Sequence, residues 1–393
     1  MGKEKTGSSG KIDITGEISY SVDTCARCGF CKPVCTTYPF GDGFEAFSPR
    51  AKVHYIKLVR EGKLKLTPEW VDRLYQCTTC ERCVENCQTE IPLVHLWEEL
   101  RAETVRQGIG PMPMHTKMRE AVDEHNNPYG ELIEERDKWM QPDHNPTEGA
   151  ELLVFGGCTG SYRMTAMLRT GVEILQRMGI PYAYAGPKEM CCGSPIIRTG
   201  QLASAERLIA SNLDLFEEMG IKEIVSPCSG CAKTIKADYP KWAGKLGKKW
   251  SGKVKHFSEL YVELLRDGRI KPTRSIDRTV TYHDPCHLGR AQRIFDEPRE
   301  ILRAIPGLKL VEMEFTLENA RCCGAGGGVK GHYPEMAEQI ADKRVLEAVE
   351  TGADVLVTMC PFCQASFTQS IEKLGVNMEL IGVEELLLQS IEG

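Results

Sequence analysis

Eighteen cysteines fall at intervals that divide them, without remainder, into four sets, and this constrains the chain more than any other feature. Two sets are runs of the form C-x2-C-x2-C-x3-C: Cys25, Cys28, Cys31 and Cys35, then Cys77, Cys80, Cys83 and Cys87. The other two each comprise a single cysteine, an adjacent pair and a CxxC: Cys158, Cys191, Cys192, Cys228 and Cys231, then Cys286, Cys322, Cys323, Cys360 and Cys363. Disulfide frameworks of this density belong to small secreted domains. In a chain of 393 residues, clustered cysteines point instead to bound metal.

The four-cysteine runs carry the spacing of cubane iron–sulfur sites. Two-residue spacers wrap three thiolates closely around one corner of a cluster, and a fourth comes from further away. In two-cluster ferredoxins the fourth cysteine of each run serves the other cluster. One cubane [4Fe–4S] cluster then takes Cys25, Cys28, Cys31 and Cys87, and the other takes Cys77, Cys80, Cys83 and Cys35. Structural zinc uses four ligands in two separated pairs, which two complete runs do not match. Such runs usually end Cys-Pro, whereas Thr36 and Gln88 follow here. Pro33 and Pro92 stand nearby, which we read as altered local packing.

Residues 150–393 contain an internal repeat. Glu151–Cys158 matches Thr279–Cys286, Met190-Cys-Cys-Gly193 matches Arg321-Cys-Cys-Gly324, and the two CxxC segments match in turn. The halves are offset by 128 residues at the first cysteine and 132 at the last. Each reads as α/β. Short β-rich runs (152–155, 181–184, 224–226; 279–282, 308–312, 355–358) alternate with helical stretches such as 204–219 and 334–351. That alternation predicts parallel sheets covered by helices. It puts the cysteines just past the carboxyl ends of strands, where open α/β sheets place ligands.

The predicted organisation is therefore a tail at 1–17 and a helical two-[4Fe–4S] ferredoxin-like domain at 18–100, with helices at 49–61 and 68–75. A polar helical connector at 101–149, wrapped on the surface, leads to two duplicated α/β domains at 150–270 and 271–393. Hydrophobic content of 41% suffices for a real core. A net charge of −6 gives no reason to expect a nucleic-acid partner or a polybasic membrane patch. No apolar run approaches a membrane span and no signal pattern opens the chain, so a cytoplasmic location is expected.

Five thiolates exceed what zinc or a cubane takes. Adjacent cysteines can bind different atoms of an extended cluster, and Gly193 and Gly324 after the pairs, with the run Gly326–Gly328, let backbone approach a bulky cofactor. These motifs resemble the CCG-domain family, specifically the catalytic subunit of heterodisulfide reductase. With the ferredoxin-like part, the chain from about residue 18 resembles the D subunit of the membrane-linked form. The resemblance implies a noncubane [4Fe–4S] cluster in each five-cysteine set, built from fused smaller units. It also implies two such clusters facing each other, with a substrate disulfide split between them.

His287, next to Cys286, is positioned in sequence to give a proton to a leaving thiolate; the bland alternative is a histidine that shapes its loop. The first half has Thr159 there, so any such role is asymmetric. The stretch Gly324–Gly331 lacks the GK[ST] ending of a phosphate-binding loop. Lys233, Arg163, Arg290 and Lys330 lie near cysteines and either attract an anionic substrate, balance cluster charge or belong to ordinary solvated surface, the reading we favour. Trp70, Trp97 and Trp139 read as core or subunit contacts.

The resemblance implies two functions. One is an oxidoreductase that reduces the disulfide of two thiol cofactors, of the CoM-S-S-CoB type. The other is an electron-relay subunit of a larger complex: a membrane complex of sulfate reducers, a flavoprotein dehydrogenase assembly or a benzoyl-CoA reductase complex. A plain structural metal protein ranks below both. The chain has no flavin or nicotinamide fingerprint. Electrons must come from a redox partner such as a flavoprotein, a hydrogenase-type protein or a membrane cytochrome b.

Overall fold

The computed structural model describes residues 17–41 and 43–391. The expected tail at 1–17 lies, except for Glu17, outside the described residues. Glu17 opens the helix Glu17–Thr24.

Serine-proline and threonine-proline pairs start the N-terminal helices. The Ser48 hydroxyl accepts from Ala51 N–H ahead of Pro49–Arg60, and Thr67 accepts from Trp70 N–H ahead of Pro68–Tyr75. In both, proline occupies the first helical position, where its missing N–H costs nothing. These helices and Leu93–Arg106 bury Val53, Ile56, Trp70, Leu74, Leu96, Trp97 and Leu100 together. Trp70, Trp97 and Trp139 are 3%, 1% and 1% exposed, so all three are core residues.

The strands are β1 (Leu152–Val154), β2 (Glu223–Ser226), β3 (Lys253–His256), β4 (Thr279–His283), β5 (Lys309–Val311), β6 (Val355–Thr358) and β7 (Glu379–Gly382). All pairings between them are parallel, in the orders β1-β2-β3 and β5-β4-β6-β7. The expected strand at 181–184 shrinks to one parallel bridge between Ala183 and Leu153. Pro181 lacks the N–H a ladder needs. With that bridge counted, both halves share one topology, as the repeat predicted. β3 and β7 were not foreseen.

The two halves are interlocked. Helix Thr165–Arg177 of the first packs on Val383–Ser390 of the second, and Phe257–Arg266 of the first packs on Asp296–Ala304 of the second. Each contact joins the helix after the first cysteine of one half to the last helix of the other, so the two are related by a pseudo-two-fold. One apolar core runs through both, joining Val154, Val172, Val225, Phe257 and Tyr261 to Val280, Tyr282, Ile301, Val355 and Leu386.

Residues 101–149 do not merely wrap the surface. Arg101, His115, Asn127, Arg136 and Trp139 are buried. Arg101 joins all three parts: it donates to the carbonyls of Leu74 and Cys77, of Arg198, and of Gly327, at 2.7–2.9 Å. Sequence periodicity cannot reveal such non-local partners. No helix among the described residues is long and apolar enough to cross a membrane.

Candidate metal centres

Within the N-terminal runs, left-handed backbone at Arg27 and Gly29, and again at Thr79 and Glu81, turns the chain between cysteines so that the thiols converge. Cys25, Cys28 and Cys31 line one cavity with Cys87. Cys77, Cys80 and Cys83 line a second with Cys35. The structure thus brings together the crossed groupings that ferredoxin spacing predicts. Backbone N–H groups of Thr79 and Ile91 point at Cys77 and Cys87 Sγ, each at 3.4 Å. Buried Lys52 lies beside Cys35 and Cys77. Burial pushes the Cys31 thiol up to about 11.

The five-cysteine sets form at the carboxyl ends of the strands. Cys158 lies just past β1 and Cys286 past β4; Cys228 and Cys360 follow β2 and β6 and are the N-cap residues of the helices Ser229–Lys233 and Pro361–Leu374. Thiol contacts run in the same order in both halves. Cys158 touches Cys191, Cys191 touches Cys192, Cys192 touches Cys231 and Cys231 touches Cys228. Likewise Cys286 touches Cys322, Cys322 touches Cys323, Cys323 lies 3.3 Å from Cys363, and Cys363 touches Cys360. None of the eighteen cysteines is joined in a disulfide.

Hydrogen bonding sorts these thiols into donors and acceptors. Cys192 accepts from Cys191 and Cys231 and is held down to about 6. Cys323 and Cys360, which also accept two thiol hydrogen bonds each, lie well below the ordinary range. The donors Cys158, Cys231, Cys286 and Cys363 are pushed well up by the neighbours they serve and by burial. Five soft sulfur donors crowded into a dry cage suit iron–sulfur chemistry. Metal there displaces the protons that otherwise quench the charge.

The cages touch one another. The Cys80 thiol reaches Cys322, and Cys228 reaches Cys360. Arg290 Nε donates to the Cys80 carbonyl at 2.6 Å, with Glu318 and Ala320 carbonyls on its Nη1. A Cβ on Gly326 would lie 2.4 Å from Thr78 O, and one on Gly327 would lie 2.3 Å from Cys77 O. The glycine run therefore lets the second half seat on the cysteine loop of the N-terminal part. Gly193 and Gly324 have φ of +85° and +83°. A Cβ on Gly324 would meet Ala337 O at 2.2 Å, so a protein helix demands glycine there.

Expected polar residues sit variously. His287 is half-buried beside Gly230, between the cysteines of the first half's CxxC. Burial and the Lys233 and Arg198 cations push it down to about 3. Arg163 is exposed and paired with Glu131. Lys233 pairs with Asp238, and Lys330 binds Ser366 and Gln369. Arg290 is 3% exposed, which corrects its reading as solvated surface. Three residues escaped the sequence. Arg136 lies 3.8 Å from Cys158 Sγ and pairs with buried Glu189 at 2.5 Å. Glu189 in turn accepts from Gly156 and Gly157 N–H at 2.9 Å. His283 stands within 4.8 Å of Cys323 and Cys363.

Comparison with known proteins agrees with this arrangement. A 4Fe-4S dicluster domain matches residues 21–91, and a cysteine-rich domain, CCG, matches residues 152–236 and 280–368. The D subunit of the dihydromethanophenazine:CoB–CoM heterodisulfide reductase of Methanosarcina mazei is 35% identical, with 99% of this chain and 98% of that one aligned. The B subunit of the fumarate reductase (CoM/CoB) of Methanothermobacter marburgensis is 36% identical over 80% of this chain and 61% of its own. The EtfAB:quinone oxidoreductase of Syntrophomonas wolfei is 26% identical over 94% of this chain and 58% of its own. Among solved structures, a hypothetical protein from Helicobacter pylori shares the fold, with a TM-score of 0.56 at 12% identity over 97% of this chain and 74% of that one.

Proposed function

The chain belongs to the family of heterodisulfide reductase D subunits and is an iron–sulfur oxidoreductase subunit, and from that premise we propose that it reduces the disulfide of two thiol cofactors, of the CoM-S-S-CoB type. The observation that carries the proposal is the meeting of two intact five-thiol sets at Cys228 and Cys360. In this reading Cys25, Cys28, Cys31 and Cys87 hold one cubane cluster, and Cys35, Cys77, Cys80 and Cys83 hold the other. The two quintets hold noncubane [4Fe–4S] clusters. The clusters supply single electrons and iron able to bind sulfur.

The reaction balances as RS–SR′ plus two electrons plus two protons giving RSH and R′SH. The contact of Cys80 with Cys322 supports entry of electrons at the second quintet, and that of Cys228 with Cys360 supports passage to the first. His287 holds a ring proton beside the same junction and relays it to a departing thiolate, taking another from solvent at its second nitrogen. Lys233, on the same side, attracts an anionic substrate. The electrons come from a partner protein: a flavoprotein, a hydrogenase-type protein or a membrane cytochrome b.

The competing reading is a relay protein without a substrate of its own. The range of relatives, from a fumarate reductase to a quinone oxidoreductase, favours keeping it. Anaerobic protein reduced with a viologen dye and mixed with thiol-cofactor disulfides separates the two. Turnover supports the reductase. Full iron content with no turnover on any disulfide supports the relay.

A further inference from the structure

His283 ends β4 and is 1% exposed. A ring nitrogen lies within 4.8 Å of both Cys323 Sγ and Cys363 Sγ. Its Nδ1 accepts from Arg344 Nε at 3.2 Å, while Nε2 is buried with no hydrogen-bond partner. Arg344 is itself fixed, donating to Phe315 O and pairing with Glu347, both at 2.8 Å. Phe367 stands edge-on to the imidazole at 4.7 Å between centroids. The ring therefore has one orientation.

That orientation determines the tautomer. An arginine Nε always carries its hydrogen, so Nδ1 must offer a lone pair and the ring proton sits on Nε2. A buried N–H with no hydrogen-bond partner then belongs to a ring that brings a nitrogen within 4.8 Å of the Cys323 and Cys363 thiols. In the first half the repeat places Phe155 at this position, and phenylalanine has no donor. Hydrogen bonds to the sulfurs of an iron–sulfur site help set its reduction potential, and a donor favours the more reduced, more negative state.

We propose that the His283 Nε2–H donates to the Cys323–Cys363 edge and holds the second five-cysteine site at a higher reduction potential than the first. His283 is a positioning residue here, acting through the cysteines. The inference rests on the reading that each quintet holds an iron–sulfur cluster. It also gives the Cys80–Cys322 contact a direction, because electrons leaving the N-terminal part meet the better acceptor first.

The test compares anaerobic wild type with H283F, which copies the first half, and H283Q, which keeps an N–H near Nε2. Iron analysis and EPR-monitored redox titration are run on each. We expect full iron in all three. In H283F one midpoint falls, so that at a fixed potential the reduced-to-oxidised ratio at that site drops about tenfold, about 59 mV for one electron. In H283Q it stays close to wild type. Unchanged midpoints in H283F, an equal fall in H283Q, or loss of iron from either variant overturns the inference. Wild type lacking the iron of the quintets overturns the cluster reading itself.

Discussion

Cys228 and Cys360 hold the same place in the two halves of the repeat, and their thiols meet. Equivalent residues touch each other only at a two-fold axis. The pseudo-two-fold that pairs the helices therefore also brings the two quintets face to face. Replacing Cys228 or Cys360 with serine removes one thiolate from one quintet only. Wild type should carry about sixteen irons per chain, four for each of four clusters. Each variant should fall to about twelve and lose disulfide turnover. A drop to about eight in either variant would show one shared site in place of two.

Gly327 has φ of +61° and no room for a side chain against Cys77 O. Gly327→Ala should cost about 1–3 kcal/mol in backbone strain and prise the second half from the N-terminal loop. Rapid-mixing reduction should show slower filling of the C-terminal sites with iron content unchanged. Gly331, where a Cβ meets nothing within 4 Å, supplies the control: Gly331→Ala should match wild type.

Arg136 and Glu189 form an ion pair with no exposed side-chain surface. Removing the cation alone leaves a buried carboxylate, a loss of about 3–5 kcal/mol. Arg136→Met should lower the anaerobic melting temperature markedly. Adding Glu189→Gln should recover part of the loss, because glutamine keeps an oxygen for the Gly156 and Gly157 N–H groups. Equal melting temperatures for the single and double variants would refute the argument.

Glu384 is buried, and neither carboxyl oxygen has a hydrogen-bond partner on another residue. Burial raises its pKa well above the ordinary 4.5. Above about that ordinary value the folded chain binds its proton more tightly than the unfolded chain, so this residue's contribution to stability is lost as pH rises. Glu384→Gln should therefore stabilise the protein at pH 8, by about 1–3 kcal/mol, and much less at pH 5. A gain independent of pH would point to packing instead.

The cysteine sets were legible in the sequence because local spacing dictates how thiols in one loop converge. The helices at 49–60 and 68–75 were legible because a hydroxyl cap followed by proline specifies a start within three residues. β3 was missed because Lys-Val-Lys-His offers only two apolar-facing positions and earns its place by pairing with β2. Arg101, Arg136 and His283 were invisible for a related reason: their partners lie tens to hundreds of residues away. The fold predicted for 181–184 failed where proline met a sheet edge.

The exchange of helices between halves bears on how the chain is made. Helix Thr165–Arg177 emerges from the ribosome long before Val383–Ser390, the element that covers it. Its apolar face must wait, bare or chaperoned, until Val383–Ser390 has been made. Deleting Val383–Ser390 would thus injure the earlier half as much as the later one, and the duplicated halves, though alike in design, are not spare copies of each other.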